Sequence, residues 1–133
     1  METDFPLLYR TTHQADLFYK NSEGYKYMVV EFFYINDCPN HAPALELLKE
    51  LMAVCDVAVP IKLVKVGTTE EARKVKFMGS PSIRIDGVDI EGNGKTVGGD
   101  FALKCRLYKY NWVFQGVPPK KLLREAIEKA KNV

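Results

Sequence analysis

The stretch "YMVVEFFYINDCPNHAPALELLKELM" at residues 27–52 contains the two patterns that decide the fold of this chain. Residues 27–35 are nearly continuous in apolar, β-branched and aromatic side chains, which is typical of a central strand covered on both faces. From residue 41 onward the apolar residues follow the helical repeat, and Pro43 is tolerated only in the first turn of a helix. The stretch therefore predicts a buried strand that turns directly into a helix immediately after Cys38.

Further elements are predicted on both sides of this strand–helix unit. In chain order they are an N-terminal extension at 1–25 with a short helix near 12–19, a strand at 59–66, a helix at 68–79, a strand at 82–86, a Gly-rich connection at 87–104, a strand at 105–116 with a possible turn at Asn111, and a helix at 119–131. The order β-α-β-α-β-β-α predicts an α/β fold with a four-stranded mixed sheet flanked by helices on both faces. Residues 26–133 are predicted to form one domain.

Length and composition limit the classes of function. A chain of 133 residues, 47% hydrophobic and 27% charged, is typical of one globular domain. Its net charge of +2, from 19 basic and 17 acidic residues, argues against a nucleic-acid partner. No apolar run approaches the roughly 18 to 20 residues needed to cross a bilayer, and the N-terminus does not resemble a secretion signal. We therefore expect a cytoplasmic protein without a membrane partner, as a monomer or a weak dimer.

Two separated motifs resemble those of thioredoxin-like proteins. Cys38 lies at the turn from the first core strand into the first helix, and "GSPSIRI" at residues 79–85 places Pro81, preceded by Ser80, before the third strand. In that family a reactive cysteine and a cis-proline occupy these two positions and pack beside each other. The resemblance covers residues 27–131 and implies a thioredoxin-like fold. Cys-Pro-Asn at the thiol, Gly-Ser-Pro before the third strand and a later Cys-Arg-Leu-Tyr are similar to one branch of the family.

The chain departs from the thioredoxin pattern at two positions. His41 stands where Cys-x-x-Cys has its second cysteine, and Phe32 stands where thioredoxins have a buried acid in the first strand. The usual disulfide cannot form within this loop, so the resemblance implies a site with a single cysteine. We predict catalytic roles for Cys38 and His41, and substrate binding by Pro39, Asn40, Ser80 and Pro81.

The residue types around Cys38 are suited to thiol chemistry. At the N-cap of a helix the sulfur would face free backbone N–H groups, which together with the helix dipole favour a thiolate. A protonated His41 would strengthen this effect and a neutral one could act as a base, whereas the charge of Asp37 opposes it. The alternative is that Cys38 only begins the helix and that His41 is an ordinary surface residue.

The other two cysteines have different predicted roles. Cys55 ends an apolar helix and is interpreted as a core residue. Cys105 opens the strand at 105–116, which in a regular hairpin would start at the end of the sheet away from Cys38, so a resolving role for Cys105 is only a possibility. Cys38 and His41 form half of a zinc spacing without a second pair, so we predict no metal and no cofactor.

Three functions remain open from the sequence. In the first, Cys38 attacks a disulfide or peroxide and forms a mixed disulfide that an external thiol releases, with protein thiols or disulfides or glutathione as partners. In the second, the chain is a non-enzymatic module that binds an extended peptide at the proline loop by strand addition. In the third, Cys38 and Cys105 capture a soft metal ion or an organometallic compound.

Overall fold

A computed structural model describes residues 17–21, 24–92 and 101–132. The elements in chain order are β1 (Phe18–Asn21), β2 (Gly24–Tyr27), β3 (Val30–Tyr34), α1 (His41–Val54), β4 (Ile61–Lys65), α2 (Thr69–Lys74), β5 (Ser82–Ile85), β6 (Val88–Asp89), β7 (Tyr108–Tyr110), β8 (Val113–Gln115) and α3 (Lys120–Lys131). The main sheet has four strands in the order β4-β3-β5-β6. Strands β3 and β4 are parallel, and β5 is antiparallel to both β3 and β6. The predicted four-stranded mixed sheet of an α/β fold is confirmed.

The helices cover both faces of the sheet, as the buried strand pattern predicts. Phe32 belongs to the main core cluster with residues of α1 and α3, such as Leu48 and Leu123. Its neighbour Phe33 points the other way and packs with Ala72 of α2 in a second cluster. Successive strand residues face opposite sides of a sheet, so each of these two phenylalanines packs against the helices on one face. None of the helices in the described residues is long and apolar enough to cross a membrane.

Helix α2 is shorter than predicted, although its start is confirmed. Thr68 is the N-cap: its hydroxyl accepts from the Glu71 N–H at 3.0 Å, and the Glu71 carboxylate accepts from the Thr68 N–H at 3.1 Å. The helix ends at Lys74 rather than near residue 79. The Arg84 guanidinium caps the C-terminal end of the helix, since it donates to the carbonyl oxygens of Val75 and Lys76 at 2.6 and 2.9 Å.

The prediction of a fourth sheet strand at residues 105–116 is wrong. Asp86 and Gly87 both have positive φ values, 54° and 82°, and form a tight turn that brings Val88–Asp89 back against β5 immediately. This short strand takes the edge position of the sheet. Residues 108–115 form a separate hairpin of β7 and β8 with its turn at Asn111 and Trp112, so the predicted turn at Asn111 is confirmed. Part of the predicted connection at 87–104, residues 93–100, lies outside the described residues.

The beginning of the described chain forms a hairpin. Strands β1 and β2 are antiparallel, and Tyr19 is 3% exposed and part of the main core cluster. The predicted helix near 12–19 is therefore wrong at residues 18 and 19, because this segment pairs as a strand; residues 12–16 lie outside the described residues. The predicted boundary between residues 25 and 26 falls within β2.

Candidate functional site

Cys38 lies in the turn that joins β3 to α1, two residues ahead of the helix cap. Its N–H donates to the Ile35 carbonyl at 3.2 Å, and its own carbonyl accepts from the His41 N–H at 3.5 Å. Because these two turns precede the helix, its first residue is His41 and its N-cap is Asn40. The Asn40 side chain makes no capping hydrogen bond. The expectation that Cys38 occupies the N-cap is wrong. Pro43 lies in the first turn, as predicted.

The sulfur of Cys38 is buried beneath the proline loop. Cys38 is 3% exposed, and its Sγ donates to the Ser80 carbonyl oxygen at 3.6 Å. The peptide bond between Ser80 and Pro81 is cis, as the resemblance implies. Ser80 is itself buried, and its hydroxyl accepts from the Ile35 N–H at 3.2 Å. The strand–helix turn and the proline loop are therefore connected through Ser80, with the Cys38 sulfur between them.

Cys105 lies beside the same proline loop. The Ser80 N–H donates to the Lys104 carbonyl at 2.8 Å, and the Arg106 N–H donates to the Ser80 carbonyl at 2.9 Å, which places Cys105 opposite Ser80 in a parallel bridge. The Cys38 sulfur donates to the carbonyl of this same Ser80, so the two cysteine side chains lie near enough to influence each other. The expectation that Cys105 starts at the end of the sheet away from Cys38 is wrong, because β6 takes the sheet edge and residues 104–106 pass beside the loop instead.

The contact with Cys38 changes the acidity of Cys105. Burial of the thiol and, after it, the charge and the hydrogen bond of Cys38 raise the pKa of Cys105 above its ordinary value. We expect Cys38→Ala to lower the pKa of Cys105, because only the contribution of burial remains. For each unit that the pKa falls, the thiolate fraction of Cys105 below that pKa should rise about tenfold. Because a thiolate of lower pKa is the weaker nucleophile, alkylation should become faster by roughly three- to fourfold. The measurement is the alkylation rate against pH in a Cys55→Ala background, and an unchanged profile would contradict the contact.

The remaining predicted site residues lie around this pair with different exposures. Pro39 is exposed and Asn40 is half-buried. The Asn40 side chain packs on Gly116, where an added Cβ would lie 2.1 Å from its Nδ2 atom. The His41 ring packs on the ring of Tyr34, with 4.8 Å between the ring centroids. Within the described residues, the ring of His41 is therefore positioned by the ring of Tyr34 and not by a contact with the Cys38 sulfur.

A buried ion-pair network next to Cys105 was missed by the sequence reasoning. Arg106 donates through both terminal nitrogens to the two carboxylate oxygens of Asp89, at 2.8 and 2.6 Å, and also to Glu91 at 2.8 Å and Ser82 at 3.0 Å. Although burial lowers it, the hydrogen bonds to Asp89 raise the pKa of Arg106 overall. Asp89 and Glu91 lie two residues apart in the sequence, but no sequence signal shows which cation faces them.

Two further contacts hold the segment of Cys105 against the proline loop. The buried Tyr108 hydroxyl donates to the Pro81 carbonyl, and burial raises the pKa of this phenol. Gly79, at φ +117°, lies so close to the segment that an added Cβ would be 2.8 Å from the Cβ of Arg106. The network and these two contacts position the backbone on both sides of Cys105.

The chemistry available at the site is that of two thiols in contact. No group of three or more histidine, cysteine, aspartate or glutamate side chains suited to a metal ion occurs in the part of the chain that the structure describes. Cys55 lies elsewhere, buried in the main core as predicted. Comparisons with protein-family models, with curated proteins and with solved structures found no match to this chain.

Proposed function

We propose that this chain is a thioredoxin-like protein that carries out thiol–disulfide exchange with Cys38 and Cys105 as its two thiols. The observation that carries the proposal is that both cysteines meet at Ser80, whose carbonyl accepts from the Cys38 sulfur at 3.6 Å and whose backbone pairs with Cys105. Cys105 supplies the second thiol, since His41 stands in the place of the second cysteine of Cys-x-x-Cys. Cys105, distant in sequence, thus takes the role that a cysteine three residues after Cys38 has in that pattern.

The exchange proceeds in two steps, formation of a mixed disulfide and its resolution. A thiolate of the pair attacks a disulfide of the substrate, one new S–S bond forms, and the other substrate sulfur leaves as a thiolate. The second thiol of the pair loses its proton to solvent and attacks the protein sulfur of the mixed disulfide, which releases the remaining substrate thiol and leaves a Cys38–Cys105 disulfide. Two molecules of an external thiol such as glutathione then reduce this disulfide and are themselves oxidised.

The backbone around the proline loop argues against the peptide-binding alternative. Strand addition needs unpaired N–H and C=O groups at the receiving edge. At Ser80 both groups are already used by residues of the same chain, through Lys104 and Arg106. An extended peptide or glutathione would have to displace residues 104–106 to pair there. Substrate is therefore recognised through its disulfide and its side chains rather than through pairing at Ser80.

The contact also suits a second candidate function, binding of a soft metal ion. Two thiolates alone can hold a d10 ion such as Cu(I) in two-coordinate geometry, because such ions prefer sulfur ligands. A titration with Cu(I) in the presence of a competing chelator would show one ion bound for each chain. The loss of that ion in Cys105→Ser would assign it to the pair.

Peptide mapping after oxidation tests the exchange proposal. We expect the Cys55→Ser protein, incubated with glutathione disulfide and then quenched in acid, to contain a disulfide between Cys38 and Cys105. Excess reduced glutathione should reverse it, because exchange is an equilibrium with the thiol pool. Cys38→Ser and Cys105→Ser in the same background should each lack this cross-link. A native protein that remains free of it after prolonged incubation would contradict the proposal.

A further inference from the structure

We infer that Cys105 is the thiol that attacks the substrate first and that Cys38 is the resolving thiol. This assignment rests on the proposed exchange function and deepens it, since it reverses the roles that the strand–helix position of Cys38 leads one to expect.

Access to the two sulfurs differs sharply. Cys38 is 3% exposed, with the buried residues Ser80 and Pro81 around it, whereas Cys105 is exposed. A substrate disulfide carries a bulky group on each sulfur and has to approach the attacking sulfur along the S–S axis. The exposure of Cys105 allows such a substrate to approach it from solvent. The substrate can reach Cys38 only if the proline loop or the segment 104–106 opens.

Ionisation works against Cys105 but is the smaller effect. Its raised pKa reduces the thiolate fraction at neutral pH, about tenfold for each unit. A thiolate of higher pKa is also the stronger nucleophile, with a Brønsted coefficient of about 0.4 to 0.5, so roughly half of this loss is recovered. The exclusion of substrate from a buried sulfur has no such compensation. Access therefore decides which thiol reacts first.

The position of Cys38 fits the second step. Its sulfur lies at the Ser80 carbonyl, and Cys105 is paired with Ser80, so once a mixed disulfide has formed on Cys105 the resolving sulfur is near the bond that it must attack. The Cys38 S–H is directed at the Ser80 carbonyl, which holds the proton but cannot remove it. The proton passes to solvent as the Cys38–Cys105 bond forms, and the departing substrate thiolate takes up a proton from solvent.

Trapping of the mixed disulfide in single-cysteine variants tests this assignment. Cys38→Ser and Cys105→Ser, each with Cys55→Ser, are incubated with glutathione disulfide at neutral pH and followed by intact mass. We expect Cys38→Ser to accumulate one glutathione on Cys105. Cys105→Ser should react at least about tenfold more slowly, because Cys38 must wait for local opening of the fold. In denaturant the difference should largely disappear, and Cys38→Ala serves as a second variant if Cys38→Ser does not fold.

The outcomes separate this assignment from the exchange function. If Cys105→Ser traps glutathione as fast as Cys38→Ser, the assignment is overturned while exchange at the pair still stands. If neither variant traps glutathione but the parent forms the Cys38–Cys105 disulfide, the assignment is again overturned alone. If the parent also fails to form that disulfide, both inferences are overturned.

Discussion

Arg106→Met is expected to lower the free energy of unfolding by about 3 to 5 kcal/mol, because it removes one partner of a buried ion pair. The side chains of Arg106 and Asp89 are 5% and 0% exposed, and two hydrogen bonds join them. Without the guanidinium, a desolvated carboxylate stays in the protein interior. A loss of this size is a large part of the roughly 5 to 15 kcal/mol that stabilises a typical domain.

Urea denaturation followed by circular dichroism measures this effect, and Arg124→Met is the matched control. Arg124 pairs with Glu128 on the surface of α3, where both side chains are 51% exposed, and such pairs contribute only about 0.3 to 0.5 kcal/mol. Equal destabilisation by the two substitutions would show that the Arg106 network adds nothing beyond an ordinary surface pair.

Gly79→Ala is expected to destabilise the protein by about 2 to 6 kcal/mol, from two independent causes. At φ +117° an alanine is strained by about 1 to 3 kcal/mol. Its Cβ would also lie 2.8 Å from the Cβ of Arg106 and 3.2 Å from its Cα, and such overpacking costs about 1 to 3 kcal/mol more. The clash pushes residues 104–106 away from the proline loop, so the Cys38–Cys105 cross-link should form less readily.

Gly24→Ala separates the two causes, because Gly24 has the same φ of +117° but an added Cβ there would meet no atom of the described residues within 4 Å. The difference between the two variants in the free energy of unfolding isolates the clash with Arg106, and we expect it to be about 1 to 3 kcal/mol. Peptide mapping of the cysteines in both variants gives the second measurement. Equal stabilities and equal cross-linking would mean that the contact between Gly79 and Arg106 does not position Cys105.

The central sheet was predictable from the sequence because its determinants are local. The apolar run of β3 and the helical repeat after residue 41 each lie within one short segment. The same holds for Thr68 with Glu71, which cap α2 through hydrogen bonds across three residues, and for the Asp86-Gly87 turn. These patterns are sufficient for the order of the elements from β3 to β5 and for helices on both faces.

The segment from residue 105 to 116 was mispredicted because its alternation is compatible with two arrangements. Tyr108, Tyr110, Trp112 and Phe114 alternate as in one long strand, yet the chain reverses at Asn111 and Trp112. Alternation does not tell one strand from two strands that meet at a tight turn, when the turn lacks glycine and proline. The edge of the sheet was then assigned to this segment, although the two residues after Gly87 occupy it.

By itself, the sequence determined the strand–turn–helix unit that carries Cys38 and the capped start of α2 at Thr68, since each depends on neighbours within a few residues. Only the tertiary structure decided that Cys105 contacts Cys38 and that Cys105, rather than Cys38, is exposed. The physical reason is that this contact depends on backbone pairing between residues 80 and 105 and on a buried ion pair between residues 89 and 106. Pairings across such separations are set by the packing of the whole chain.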